Sequence, residues 1–175
     1  MHNFDDLVYR STSFTLHALE KANDQVLRAL EESAPTSAIN DLQMLQLQKV
    51  ILATGMFSLF DAILQEGFAC RNGFVKAKAI LIQRREVELH DRFEDFIRAI
   101  NVLKHGRGES YNSLVAKFES LPFKIKLPDQ NFFYEGDVSE VSTLVEVTDK
   151  FVLDCAELIG QVSAVMRKEF AGFAL

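Results

Sequence analysis

Proline sets the strongest limit on this chain. It occurs three times, at Pro35, Pro122 and Pro128, each time in a stretch expected to be a loop. A proline inside a helix removes a hydrogen bond and clashes with the preceding turn. Its confinement to these positions leaves long stretches free to run as uninterrupted helices, and apolar residues recur through them at helical spacing. With 175 residues, 48% apolar and 25% charged, the chain has the composition of one ordinary globular domain with a sizeable core. Fifteen Phe against three Tyr predict a core rich in phenylalanine.

Asn3 is placed to cap a first helix that runs to about Ser33, with Phe4, Leu7, Val8, Phe14, Leu16, Leu19, Val26, Leu27 and Leu30 as its stripe. The turn EESAPTS ends it. A second helix, capped by Ser37 or Thr36, runs from about Ala38 to Cys70, with Asn72-Gly73 as its stop signal. Its first half is amphipathic and its second half is apolar nearly all round, which places that half in the core or in a subunit interface. Gly55 inside it costs about 1 kcal/mol of helix propensity against alanine. A third helix spans about Phe74 to His105. It buries Phe74, Ala77, Ile80, Leu81, Val87 and Leu89, and keeps the mixed-charge run RREVE as a solvated face. Gly106 stands where a helix C′ glycine belongs.

Ser110 or Asn112 caps a short helix, Ser113 to Leu121. The following LPFKIKLPDQNFFYEGDVS is irregular or a short extended pair, packed over the bundle by Phe123, Phe132, Phe133 and Tyr134. Ser139, with Ser142 or Thr143, opens a last helix that continues to about Phe170, and the tail AGFAL frays or docks through Phe173. No repeat or composition break divides the chain. The fold expected over residues 1–175 is a single all-α domain. It is a bundle of four long helices and one short one, with an irregular loop before the last helix.

A formal net charge of −6 excludes a broad basic surface, so any contact with nucleic acid must be local. Cys70 and Cys155 are far apart with no CxxC, as expected of reduced thiols in the cytoplasm. The N-terminus MHNFDDLVYR lacks the apolar segment of a signal peptide. The most apolar run, Val50 to Leu64, is short for a membrane span and contains Asp61, so no membrane is expected. A di-metal bundle needs Glu-x-x-His on two helices; here Glu86 and Glu88 stand at the wrong spacing from His90. HExxH, P-loop and GxSxG patterns are missing too, and no metal or cofactor is expected. His2, His17 and His90 read as ordinary histidines, and neither cysteine has a histidine partner in sequence.

Chemistry concentrates between His90 and Tyr111. Asp91, Glu94, Arg98, Asn101 and His105 follow one another at alternating spacings of three and four, which puts them within an arc of roughly 80° on one helix face. Phe93, Phe96, Ile97, Ile100 and Leu103 fall on the opposite side. Such a stripe alone is what any surface helix shows. Two features go further. Lys104, His105 and Arg107 gather at a helix C-terminus, where the dipole favours positive charge, and an imidazole among cations suits proton transfer at a phosphate. The next helix begins a few residues on, where Ser110 and Tyr111 offer hydroxyl donors.

Arg98 followed seven residues later by His105, inside a helical bundle, resembles the R-x4-6-H signature of the HEPN superfamily, all-α domains of prokaryotic defence, toxin and RNA-processing systems. The string from Asn101 to Gly106 is similar to the N-x-x-K-H-G form of several members. The family usually carries a polar residue directly after the arginine; here that residue is Ala99, and Asn101 on the same face is the one that would serve instead. The resemblance implies a metal-independent endoribonuclease in which the 2′-hydroxyl of RNA attacks the adjacent phosphate. His105 would act as general base or acid, Arg98 would stabilise the charged transition state, and Asn101 would orient a phosphate or His105. Lys104, Arg107, Ser110 and Tyr111 would hold neighbouring phosphates. It also implies a homodimer that pairs two motifs across one cleft, a toxin or phage-defence role, and a cognate protein partner. Val50 to Leu64 offers material for that interface, with Asp61 as a candidate polar contributor. Non-catalytic members exist, so a helical module that binds a nucleotide or a protein through the same face stands beside the enzyme. A purely structural bundle with a solvated stripe is the third reading.

Overall fold

The computed structural model describes residues 4–33 and 36–169. Asn3 and the AGFAL tail with Phe173 lie outside them. The described residues form six helices, α1 (Phe4–Ser33), α2 (Thr36–Phe68), α3 (Gly73–Gln83), α4 (Val87–His105), α5 (Glu109–Val115) and α6 (Asp149–Glu169), with one 3-10 turn at Phe118–Ser120. The architecture is the expected all-α bundle with a long irregular segment before the last helix. The division into helices differs in four places, each with a local cause.

The third helix is two. Its break falls inside RREVE: Arg85 takes a left-handed φ of 61°, and the Glu86 N–H turns back to the Leu81 carbonyl at 2.9 Å. The charged run is the tip of an α3–α4 hairpin and not a helix face. Val87, just past it, is exposed. Asn72-Gly73 is likewise a start and not a stop. Asn72 Oδ1 accepts the Val75 N–H at 3.0 Å as the N-cap of α3. Asp61 Oδ1 accepts the Phe74 N–H at 3.2 Å, so this buried-side carboxylate holds the α2–α3 turn together. Gly73 itself is required by space. A Cβ there would stand 2.5 Å from Leu64 Cβ and 2.8 Å from the Asp61 carbonyl oxygen. Gly73→Ala is therefore expected to destabilise the fold by about 1–3 kcal/mol, read as a lower urea midpoint at unchanged m-value; an unchanged midpoint contradicts the packing.

The short helix begins earlier, at Glu109 after Gly108, and the last helix begins later. Thr148 Oγ1 accepts the Phe151 N–H at 3.1 Å and caps α6, so Ser139 to Val147 belongs to the loop. Val145 and Val147 are buried there by alternation. Val145 forms an isolated antiparallel bridge with Ile125, closed by Lys126 N–H to Leu144 O at 2.9 Å and Glu146 N–H to Lys124 O at 3.0 Å. This is the short extended pair. Phe123 is buried beneath it, whereas Phe132 and Tyr134 remain half exposed.

The core is built on phenylalanine. Phe57, Phe60, Phe93, Phe96 and Phe151 are fully buried. Phe93 lies between Phe57 and Phe60 of α2 and Phe74 of α3. Phe96 stacks on Phe151 of α6 at 5.2 Å and meets Phe123 of the loop edge-on at 5.2 Å. These contacts fix which side of α4 faces inward. The second helix is not buried all round: Ala53, Phe57, Phe60 and Leu64 face the core, while Met44, Leu47, Ile51 and Leu59 are exposed. The apolar run also belongs to a longer helix than its own length suggested. Ser37–Phe68 is long and apolar enough to cross a membrane by length and composition, although 33% of its most apolar window is buried against the rest of the fold.

Candidate functional site

The inward anchoring of Phe93, Phe96 and Ile100 turns the opposite side of α4 to solvent. Glu94, Arg98, Asn101 and His105 occupy that side. Arg98 and His105 are about 10 Å apart along the axis and about 20° apart around it. Arg98 is half-buried, and its Nη2 lies 3.2 Å from Glu94 Oε1. The same carboxylate oxygen takes Lys78 Nζ of α3 at 3.1 Å. Partial burial raises the Glu94 pKa, but the hydrogen bond and charge of Lys78 and the charges of Arg98 and His90 outweigh it, and the group is held below its ordinary value. Glu94 thus stays charged and fixes one edge of the guanidinium. A guanidinium has five N–H donors, so this contact leaves Arg98 others for a second partner.

Asp91 does not join this set. Its Oδ1 meets His90 Nδ1 at 2.9 Å. Asp95, one turn before Ala99, pairs with Lys117 beyond α5. Ala99 itself has no exposed surface. The position directly after Arg98 therefore points into the core, where a polar side chain has no access to the outer face.

The end of α4 is basic and open. Gly106 adopts φ 73°, and its N–H closes on the Val102 carbonyl at 2.8 Å. Lys104 and His105 are exposed, and among the described residues no hydrogen bond or ion pair engages either side chain. Arg107 is exposed but anchored: its Nη2 donates to the Pro128 carbonyl at 3.2 Å and its guanidinium lies 5.4 Å from the Tyr111 ring centroid. Asn101 and Ser110 are half-buried. Tyr111 is placed differently from the expectation. It is buried, and its hydroxyl donates to the Lys126 carbonyl at 2.8 Å. Its role is to tie α5 to the loop. Asp61 is also occupied within the fold, by Phe74 N–H and by Gln65 Nε2 at 2.6 Å.

Arg98, Asn101 and His105 therefore share one side of α4, and Lys104, also exposed, stands about 100° round the helix from His105, with Arg107 and Ser110 just beyond the helix end. Lys78, which the sequence reading did not include, belongs with them through Glu94; its signal was hidden because the two residues meet only once the hairpin turn at Arg84–Glu86 is made. The arrangement supplies a pinned guanidinium and an open imidazole on one helix face, with two further cations at the helix end. Among the described residues no three His, Cys, Asp or Glu side chains group as metal ligands. No family model, curated protein or solved structure matches the chain.

Proposed function

We propose that the outer face of α4 binds an RNA phosphodiester and cleaves it without metal, as an endoribonuclease of the HEPN type. The observation that carries this reading is the shared solvent-facing side of Arg98 and His105, with Arg98 held in place by Glu94 and Glu94 by Lys78. Imidazole is the side chain that exchanges a proton most readily near neutral pH. Neutral His105 takes the proton of the 2′-hydroxyl as that oxygen attacks the adjacent phosphorus. The bond from phosphorus to the 5′-oxygen breaks, and the departing oxygen takes a proton from water. The products are a 2′,3′-cyclic phosphate and a 5′-hydroxyl. Arg98 stabilises the charge that builds on the non-bridging oxygens. Asn101 orients the phosphate, and Lys104 and Arg107 hold its neighbours. The family resemblance, and nothing in the site itself, points to a cytoplasmic toxin or defence setting with a cognate protein partner.

The test uses single-stranded RNA in EDTA. Cleavage is expected to leave cyclic phosphate ends, to be lost in Arg98→Ala at unchanged thermal midpoint, and to be blocked at any nucleotide whose 2′-hydroxyl is replaced by hydrogen. Cleavage of that deoxy position contradicts the mechanism. A second reading has its own observation. Because Ala99 is buried, the position where the family usually carries a polar residue does not reach this face, and only Asn101 stands in for it. A non-catalytic module that binds a nucleotide, RNA or a protein through the same residues fits that. It predicts a raised thermal midpoint with RNA or nucleotide, and intact RNA.

A further inference from the structure

The isolated bridge in the loop before α6 leaves one edge open. Ile125 and Val145 face each other between two bonds, Lys126 N–H to Leu144 O and Glu146 N–H to Lys124 O. When an antiparallel pair is bonded through its flanking residues, the backbone groups of the central residue point away from the partner strand. The N–H and C=O of Ile125 therefore face outward, and so do those of Leu127, two residues on. Leu127 is closed on that side. Its N–H donates to Gln130 Oε1 at 2.9 Å, and its carbonyl accepts the Gln130 N–H at 3.0 Å. Neither backbone group of Ile125 has a partner among the described residues, and the same holds for Phe123.

This edge looks onto a groove of about 320 Å³. Gln130, which covers the outward side of Leu127, lines the groove together with Ile125, so the groove lies on the unpaired side of the strand. Its walls are otherwise apolar, from Phe118, Leu121, Pro122, Leu127 and Phe133, and Lys124 is the only charged residue that lines it. Ile125 is buried, while Phe118 is 45% exposed. Folded chains satisfy nearly every buried backbone N–H and C=O. Here one buried residue presents a donor and an acceptor to an apolar trough, spaced as a strand presents them.

We infer that this edge takes an extended peptide of a partner protein as an added strand. The peptide exchanges two hydrogen bonds with the N–H and C=O of Ile125, lays apolar side chains against Phe118 and Leu127, and sets an acidic one beside Lys124. The open donor and acceptor select this occupant. A helix uses its backbone groups within itself, and a nucleic acid strand calls for several cations where the groove has one. Lys124 Nζ donates to the Tyr134 hydroxyl at 2.6 Å, and its side chain stays 58% exposed, which leaves further N–H donors for a carboxylate. The residues beside Ile125 disfavour a second copy of this chain. Two such edges paired antiparallel through Ile125 would set Lys124 of each against Lys126 of the other, and like charges directly opposite are unfavourable. The edge is also fixed in advance. Lys126 pairs with Glu140 and its carbonyl takes the Tyr111 hydroxyl, so little ordering is left for the binding step.

The test pans a phage-displayed library of random peptides, each about ten residues long, against the full chain, and follows the Ile125 amide by NMR hydrogen exchange. In the free chain that amide is expected to exchange faster than the bonded amides of Lys126 and Glu146. Enriched peptides are expected to alternate apolar residues and to carry Asp or Glu. Made synthetically, they slow exchange at Ile125. Methylation of the peptide N–H that faces the Ile125 carbonyl weakens binding by about tenfold, and Phe118→Asp does the same with unchanged helical circular dichroism. The proposal is overturned by an unenriched library, by peptides that tolerate N-methylation at every position or bind Phe118→Asp as tightly as wild type, or by an Ile125 amide that is already protected in the free chain. Single-stranded RNA or a second copy of the chain protecting that amide in place of the peptide overturns it too. None of these readouts depends on RNA cleavage.

Discussion

Phe96→Ala is expected to lower the unfolding free energy by about 3–5 kcal/mol. Phe96 has no exposed surface. It stacks on Phe151 with an interplanar angle of 18° and meets Phe123 edge-on at 79°, and those two rings are themselves 5.3 Å apart. The three rings join α4, α6 and the loop before α6. Truncation removes the transfer energy of a whole ring and leaves a cavity that three separate elements must close together. Aromatic pair geometry contributes about 0.5–1.5 kcal/mol beyond area for each pair. Urea unfolding followed by circular dichroism checks the value, and a loss below about 1 kcal/mol contradicts the packing described.

The second large effect belongs to Glu140. The irregular segment holds its shape through a buried ion pair: Lys126 Nζ lies 3.1 Å from Glu140 Oε2, with both side chains nearly covered. Glu140 also accepts the Phe133 N–H at 3.0 Å and the Tyr134 N–H at 2.7 Å. Glu140→Ala leaves a buried ammonium and two backbone donors without their acceptor. Removal of one partner of such a pair costs about 3–5 kcal/mol, and the lower end, about 3 kcal/mol, is expected here. The Lys126 ammonium keeps the ring of Phe133, 4.6 Å from its centroid, as a second contact.

The same carboxylate makes stability depend on pH. Burial raises the Glu140 pKa, but the two backbone N–H groups and Lys126 outweigh that, and the group is held below its ordinary 4.5. The unfolded chain therefore takes up this proton at a higher pH than the folded one. The contribution is complete above the ordinary carboxylate pKa and is lost as pH falls through the lower, folded value. In acid titrations of stability, Glu140→Gln is expected to show a shallower decline than wild type in that window; parallel curves contradict the assignment.

Much of the architecture was legible because it rests on local rules. The scarcity of proline, the helical recurrence of Phe and Leu, and Gly106 at a helix end require no knowledge of distant contacts. The errors share one cause, which is that the deciding partner was distant or the local signal was shared by two structures. Asn72-Gly73 is a good helix stop and an equally good helix start; the choice was made by Asp61 and Leu64, a turn or more earlier. Arg84–Glu86 carries no proline or glycine, and the break there follows from the packing of α3 and α4 as a hairpin. Val141 to Val147 matched helical spacing, yet Val145 and Val147 answer to period two because Ile125 lies opposite.

The candidate site divides in the same way. The shared face of Arg98, Asn101 and His105 follows from their spacing on a single helix. The sequence offers the Tyr111 hydroxyl as a phosphate donor because nothing near it in sequence reveals that the Lys126 carbonyl receives it. Lys78 was invisible for the converse reason: its partner Glu94 lies across a turn that the charge pattern disguised as helix. The inward direction of Ala99 is also legible only with the core in place, since it depends on which side of α4 meets Phe57 and Phe151.

The central claim is that His105, on the outer face of α4, moves the proton of an RNA 2′-hydroxyl. The most direct measurement compares wild type with His105→Ala on end-labelled single-stranded RNA in EDTA, at about pH 6 to 8 where an imidazole changes charge. The account predicts that wild type produces fragments ending in 2′,3′-cyclic phosphate and that His105→Ala does so about 100-fold more slowly or worse, with the same thermal midpoint. Intact RNA after incubation with wild type, or equal rates for the two proteins, contradicts it.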